Sequence, residues 1–360
     1  MHTVVRKVDI QNINTQYMKE AGAILENGGL VAFPTETVYG LGGNALDANA
    51  SRKIYAAKGR PSDNPLIVHI ADEKELFDIA RDVPENAKKL MKAFWPGPLT
   101  MIFRKKEGIP YETTGGLETV AVRMPDHKVA LEMIKAAGVP IAAPSANTSG
   151  RPSPTKAAHV IEDLYGRIEM ILDGGSVGIG IESTILDMTA SPPMILRPGF
   201  ITKSMLKSVI GEVTEDKVVS AKSINTVTEG GYKPKAPGMK YRHYAPKAEL
   251  TMYEGDIDEV IKKINEVSDK SSKAGKKVGI IATEETKDKY IGDYIVSIGT
   301  RADEESIARG LYDVLRGFDD TDVDIILSET FYDDEFGLSI MNRMIKAAGY
   351  KIVKVNKYEI

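Results

Sequence analysis

Thr35, Glu36 and Thr37 stand directly after the apolar run Leu30 to Phe33, and Pro34 ends that run because it cannot donate to a ladder. Polar side chains at the carboxyl end of a strand occupy the place where open α/β sheets bind ligands. Lys58 and Arg60 flank Gly59 about twenty residues later, ahead of Asn64 and the apolar stretch Leu66 to Ile70. If that loop is extended, the two cations point the same way and can grip one phosphate chain. Arg123, Arg151 and Arg197 each lie at or just past an expected strand end, as do Ser145, Asn147, Ser153, Ser183 and Thr184. Loops of this kind converging on one sheet edge make a composite site for a polyanion and a small polar substrate.

Taken singly, several of these residues have plainer roles. Lys58 and Arg60 also read as a solvated surface pair, and His69 as a satisfied core histidine inside an apolar strand. Trp95 reads as a core plug. Glycine-rich Gly174 to Gly180 lacks dinucleotide-loop spacing and a strand-to-helix context, so a turn is the better reading. Glu36 could hold a cation, but no second carboxylate sits at ligand spacing, and no protein-built metal site is assigned.

The elements that must place these residues follow from periodicity and punctuation. Helices are expected over 17–27, 49–57, 72–80, 85–94, 155–165 and 202–210, and one capped by Asp126 through Ala137. Strands are expected over 30–33, 66–70, 99–103, 119–123, 139–143, 170–172, 183–187 and 194–196, with a glycine turn after Tyr39 that lets backbone and ligand approach. Strands alternating with helices indicate an α/β layered fold, and adjacent strands without a helix between them indicate a mixed sheet. Residues 1–211 form the first domain. Residues 212–246, broken by Gly230, Gly231, Pro234, Pro237 and Gly238, form a linker. Residues 247–360 regain a strand–helix rhythm as a smaller three-layer α/β domain. No strand end there carries a comparable cluster, so it reads as structural or regulatory.

Bulk composition narrows the classes. Zero cysteines exclude disulfides, thiolate metal sites and cysteine nucleophiles. No apolar run nears the ~20 residues of a membrane span, and Met1 to Asn14 lacks a signal-peptide apolar region. Residues 1–246 carry 30 Lys and Arg against 27 Asp and Glu, whereas residues 247–360 carry 17 against 24. That asymmetry supports two domains, and neither half is basic enough to indicate nucleic-acid binding on composition alone.

The motifs Phe33-Pro34-Thr35-Glu36-Thr37-Val38-Tyr39-Gly40-Leu41, Lys58-x-Arg60-Pro61, Asn64-Pro65-Leu66, Trp95-Pro96-Gly97-Pro98-Leu99-Thr100, Val122-Arg123-Met124-Pro125, Ala143-Pro144-Ser145-Ala146-Asn147, Ser183-Thr184 and Arg197-Pro198-Gly199 occur in this order. Together they resemble the YrdC-type L-threonylcarbamoyladenylate synthases. The element Pro237-Gly238-Met239-x-Tyr241-x-His243-Tyr244-Ala245-Pro246 and the residues beyond it resemble the long, two-domain form.

The resemblance implies a twisted open mixed sheet with helices and a concave nucleotide-holding face, followed by a Rossmann-like domain. It implies synthesis of threonylcarbamoyl-AMP and pyrophosphate from L-threonine, bicarbonate or carbon dioxide, and ATP. The product would go to a downstream threonylcarbamoyl-transferase complex acting on tRNA. Magnesium would arrive with ATP. The resemblance places Thr37, His69, Arg123, Ala143 and Ser183 around threonine. Arg60, Asn64, Thr119, Ser145, Ser153 and Arg197 would hold ATP, supported by Lys58 and Asn147, with His243 and Tyr244 closing over the nucleotide. Lys58, Arg60, Ser145 and Asn147 would carry catalysis by positioning and charge, without a covalent nucleophile. The expected setting is cytoplasmic, away from membranes and without stable nucleic-acid binding. A concave basic face docking duplex RNA by shape is the rival reading. Against it, the cations sit among hydroxyls at strand ends and not in an exposed stripe.

Overall fold

A computed structural model describes residues 1–217, 219, 244–331 and 335–355. Among them one compact unit holds 1–149, 153–217 and 219, and another holds 150–152, 244–331 and 335–355.

The first unit is built on strands β1 (Val4–Lys7), β2 (Val31–Phe33), β3 (Gly40–Asn44), β4 (Ile67–His69), β5 (Ala80–Arg81), β6 (Leu99–Lys105), β7 (Thr119–Arg123), β8 (Ile141–Ala143), β9 (Met170–Asp173), β10 (Thr184–Asp187), β11 (Met194–Arg197) and β12 (Thr214–Glu215). They form one mixed sheet in the order 1-9-2-3-8-4-7-6-10-11-12, with β5 on β6. Its helices are α1 (Thr15–Glu26), α2 (Ala48–Lys58), α3 (Leu76–Ile79), α4 (Glu85–Phe94), α5 (Tyr111–Thr114), α6 (Lys128–Ala137), α7 (Ala157–Leu164) and α8 (Lys203–Ile210). Alternation along β2 sorts side chains to two cores. Ala32 joins Leu41, Val68, Val122 and Ala142 on one face. Val31 and Phe33 join Ile141, Ala143 and the α6 residues Val129 and Met133 on the other.

Local sequence sets the helix limits that matter to the site. The Asp47 side chain accepts from Asn49 N to start α2, and Gly59, at φ 60°, stops it in the left-handed region that glycine enters without a Cβ clash. Lys58 is therefore the last residue of a helix, not half of an extended Lys-Gly-Arg loop. Asp126 does not cap α6. The cap position is His127, which makes no side-chain capping bond.

The stretch expected as a ligand-facing glycine turn is strand β3, antiparallel to both β2 and β8. A Cβ on Gly42 would stand 2.8 Å from Ile141 Cγ2 and 3.0 Å from the Phe33 ring. Its glycine thus serves close packing within the sheet. Strand β1, not anticipated from sequence, pairs in parallel with β9. Helix 72–80 is shortened to a 3-10 turn, Glu73–Glu75, followed by α3.

The second unit has strands β13 (Glu249–Gly255), β14 (Val278–Ala282), β15 (Tyr294–Ser297), β16 (Ile325–Glu329) and β17 (Ile352–Val355), and helices α9 (Ile257–Lys273), α10 (Glu304–Gly317) and α11 (Glu335–Ala347). The sheet is parallel throughout, in the order 15-14-16-13-17. One of its strand ends does carry a polar cluster, contrary to the sequence reading. Glu329, fully buried, accepts from Thr283 Oγ1 (3.0 Å), Thr286 Oγ1 (3.0 Å) and Tyr290 Oη (2.6 Å), and pairs with Arg301 at 3.1 Å. Burial and the Glu329 charge push the Tyr290 hydroxyl pKa up, so it stays a donor. A cavity of about 320 Å3 adjoins this cluster, lined by Tyr253, Gly255, Arg301 and Glu329 among others. The cluster escaped sequence reading because its members are single polar residues spread over 283–329.

Candidate active site

The strands that deliver the site do not share a direction. β8 runs antiparallel to β4, and β4 runs parallel to β7, so the carboxyl ends of β4 and β7 lie opposite the carboxyl end of β8. A site on one sheet edge is therefore excluded. The shared feature is a face. His69 is registered with Arg123 on β7 and with Ile141 on β8, and Ala143 lies two residues from Ile141. Period-2 alternation puts Ala143, His69 and Arg123 on the same side of the sheet. The Phe33 ring meets the His69 ring edge-on on that side, with centroids 6.0 Å apart.

Arg123 gathers the first group. Its guanidinium is buried, and Nη1 donates to Thr37 Oγ1 at 2.9 Å while Nε donates to Gly97 O at 3.3 Å. Thr35 Oγ1 donates to Val38 O at 2.7 Å, which spends its one proton. In the 2.9 Å contact between the two threonine hydroxyls the donor is thus Thr37, whose oxygen accepts from Arg123. Glu36 Oε2 lies 2.7 Å from Arg123 Nη2. That ion pair is not aligned as a hydrogen bond, so Nη2 and both Glu36 oxygens are buried without a hydrogen-bond partner. His69 Nδ1 donates to Ile67 O at 3.1 Å, and burial, reinforced by the Arg123 charge, depresses its pKa to about 3. His69 is neutral at physiological pH, a fixed dipole beside a fixed cation.

Lys58 organises a second group. Its ammonium is buried and donates to the backbone carbonyls of Ser145 and Asn147, with Asn147 Oδ1 a further 3.3 Å contact. Ser145 Oγ donates to Asn147 Oδ1 at 2.5 Å. Lys58 thus pins the Ser145-Ala146-Asn147 loop. Arg60 turns elsewhere, with Nη2 donating to Asn64 O (3.1 Å) and Pro65 O (3.0 Å). The expectation that both cations point together is corrected: a helix end followed by a left-handed glycine separates their directions.

In a third group, Arg197 donates from Nε to Ser183 O at 3.0 Å and from Nη2 to Ser183 Oγ at 3.2 Å. Thr100 and Ser183 share a 2.7 Å hydroxyl contact, and Ser153 Oγ donates to Glu182 at 2.6 Å.

Backbone bonds join the three groups. Gly40 bridges Ser145, Ala146 N donates to Tyr39 O, Gly180 N to Thr37 O, Thr184 N to Pro98 O and Gly97 N to Met124 O. The structure thereby brings together Thr37, Lys58, Arg123, Ser145, Asn147, Ser183 and Arg197 in one bonded frame. Thr119 stands at the other end of β7 from Arg123. Arg151 falls in the second unit, paired with Asp319 at 3.5 Å. Tyr244 also belongs there, packed on Tyr312 with ring centroids 5.2 Å apart, and His243 lies outside the described residues. Sequence reading did not find the Glu36–Arg123 and Ser153–Glu182 contacts, although both acids sit beside residues it singled out.

A buried guanidinium, two buried hydroxyls and a neutral imidazole can orient a small polar substrate. The loop held by Lys58 places a hydroxyl and an amide at its side, which meet phosphate oxygens once they exchange their bonds to Asn147 Oδ1 and Thr148 O.

The family model described as "Telomere recombination" matches residues 23–199, and one described as "Threonylcarbamoyl-AMP synthase, C-terminal domain" matches residues 201–349. Threonylcarbamoyl-AMP synthase of Pyrococcus abyssi is 50% identical, covering 96% of this chain and 98% of the relative. Its namesake from Bacillus subtilis is 51% identical, covering 96% and 97%. The crystal structure of P. abyssi Sua5 complexed with L-threonine superposes with a TM-score of 0.91 at 49% identity, covering 98% of this chain and all of that one.

Proposed function

The chain belongs to the Sua5/YrdC family in its two-domain form, and on that premise we propose that it makes threonylcarbamoyl-AMP and pyrophosphate from L-threonine, bicarbonate or carbon dioxide, and ATP. The observation that carries the reading is the frame in which the buried Arg123–Thr37 pair adjoins the Lys58-held Ser145–Asn147 loop, in a chain half identical to named synthases along nearly its whole length.

Arg123 supplies a fixed cation for the substrate carboxylate, and Thr37 fixes its guanidinium plane. A carbamate formed on the threonine nitrogen attacks the α-phosphorus of ATP, and pyrophosphate leaves. Charge grows on the phosphoryl oxygens as that happens. Arg60 and Arg197 supply cations of the kind that stabilises it, and Ser145, Asn147 and Ser153 become donors to it by exchanging the bonds they make to Asn147 Oδ1, Thr148 O and Glu182. Lys58 acts through the loop it pins. Magnesium bound to the triphosphate would supply charge neutralisation there, beside Arg60 and Arg197. Among the described residues no three His, Cys, Asp or Glu side chains converge. The product passes to a transferase that modifies tRNA, in the cytoplasm. No described helix is long and apolar enough to cross a membrane.

The test is pyrophosphate release with ATP, magnesium, bicarbonate and L-threonine, each omitted in turn. Release that needs both threonine and bicarbonate is the expected result. Release independent of threonine refutes the reading.

A further inference from the structure

Three polar groups of the first unit are buried without hydrogen-bond partners in one place. They are the Glu36 carboxylate, Arg123 Nη2 and His127 Nδ1. Glu36 and Arg123 lie 2.7 Å apart with side chains 13% and 5% exposed. His127 is close enough for the Glu36 charge to act on its imidazole, which burial biases toward the neutral form. Native interiors satisfy buried polar atoms, and a cluster that does not is arranged for something else. A buried cation beside a buried anion, each with unmet hydrogen-bonding capacity, is complementary to a zwitterion whose ammonium and carboxylate hang from one carbon. Binding it leaves the pocket's net charge unchanged.

We propose that Glu36 receives the α-ammonium of the amino-acid substrate and takes its proton, while Arg123 holds the carboxylate. The proposal rests on the reading of the reaction given above. The balance is simple. An N–H bond breaks, its electron pair stays on nitrogen, and the proton bonds to a Glu36 oxygen. The freed pair then forms the N–C bond to carbon dioxide, one C=O pair moves to oxygen, and the second nitrogen proton passes to water, leaving the carbamate. Without Glu36 the substrate must arrive already as the free amine, a small fraction at neutral pH because an α-amino group ordinarily titrates near about 8.

The test compares the full-length wild type with Glu36→Gln, nearly isosteric, and Glu36→Asp, which keeps the carboxylate. Pyrophosphate release is followed from pH 6 to pH 9, and L-threonine and ATP binding by calorimetry. At pH 7 the expected loss in E36Q is about 10²–10⁴-fold in turnover, shrinking by nearly but not more than about tenfold between pH 7 and pH 9 as the free-amine fraction rises from about a tenth to nearly all, with ATP affinity kept. E36D should retain more activity than E36Q and keep the wild-type pH profile. Near-wild-type turnover of E36Q at pH 7 overturns the proposal. So does an equal loss at every pH, which would make Glu36 only a support for Arg123. If E36Q does not fold, an E36D profile with an alkaline-rising loss overturns it, and a wild-type profile upholds it. Wild-type release that ignores threonine would instead strike the reading of the substrates.

Discussion

Lys58→Met separates a phosphate-gripping lysine from one that holds a loop. The Lys58 ammonium is buried and spends its donors on the carbonyls of Ser145 and Asn147, with Asn147 Oδ1 nearby. Hydrogen bonds to a charged group contribute about 1.5–3 kcal/mol each, and a buried carbonyl left bare costs about 1–3 kcal/mol. Methionine fills much of the volume and recovers apolar transfer energy, so the net loss should be about 2–4 kcal/mol. At roughly 2–4 °C per kcal/mol for a unit of this size, the melting temperature should fall by about 5–15 °C. Turnover should fall by about 10²-fold, the usual cost of disarranging a preorganised donor. Scanning calorimetry of wild type, K58M, N147A and the double variant, alongside pyrophosphate release, reads both quantities. Because Lys58 and Asn147 share one loop, their effects should be strongly non-additive. A K58M protein that melts within about 2 °C of wild type refutes the loop-holding role. Full additivity with N147A would refute it as well.

Arg123→Lys keeps the charge but loses the fork that serves Thr37, Gly97 and Glu36 together, so kcat/KM for threonine should drop at least about 10²-fold with the KM for ATP little changed; parallel steady-state titrations of both substrates check this. Gly42→Ala should destabilise by about 1–3 kcal/mol, because its Cβ meets Ile141 and Phe33 at contact distances inside van der Waals range, and urea midpoints measure it. His69 predicts a pH trend. Its folded pKa, about 3, is below the ordinary value of about 6.5. Between those values the unfolded chain binds a proton that the folded chain refuses, so stability is complete above about pH 6.5 and falls with acid by up to about 1.4 kcal/mol per pH unit. Urea unfolding at pH 7, 5 and 4 should show a shallower acid decline in His69→Asn than in wild type.

Residue types announced the site more readily than its arrangement. Thr37, Arg123, Ser145, Asn147, Ser183 and Arg197 were legible because hydroxyls, amides and arginines cluster after apolar runs ended by proline or glycine. Strand direction was not legible. Period-2 alternation reads the same in either sense, so the sequence allowed one edge where the sheet provides a face. Strand β3 hid because glycines signal turns, whereas here they let Phe33 and Ile141 pack against bare backbone. Lys58 looked solvated because its partners lie 87 and 89 residues away. Local composition cannot register that separation.

The sheet order also sets a timetable. Strand β9 fills the slot between β1 and β2, bonding Val4–Lys7 on one side and Val31–Ala32 on the other. As the chain leaves the ribosome, β1 and β2 must wait for about 140 further residues before their common neighbour exists. During that interval the facing edges of β1 and β2 stand unpaired, the kind of open strand edge that slows folding and invites misassociation. The sheet of the first unit therefore cannot close until Met170–Asp173 emerges and fills the gap.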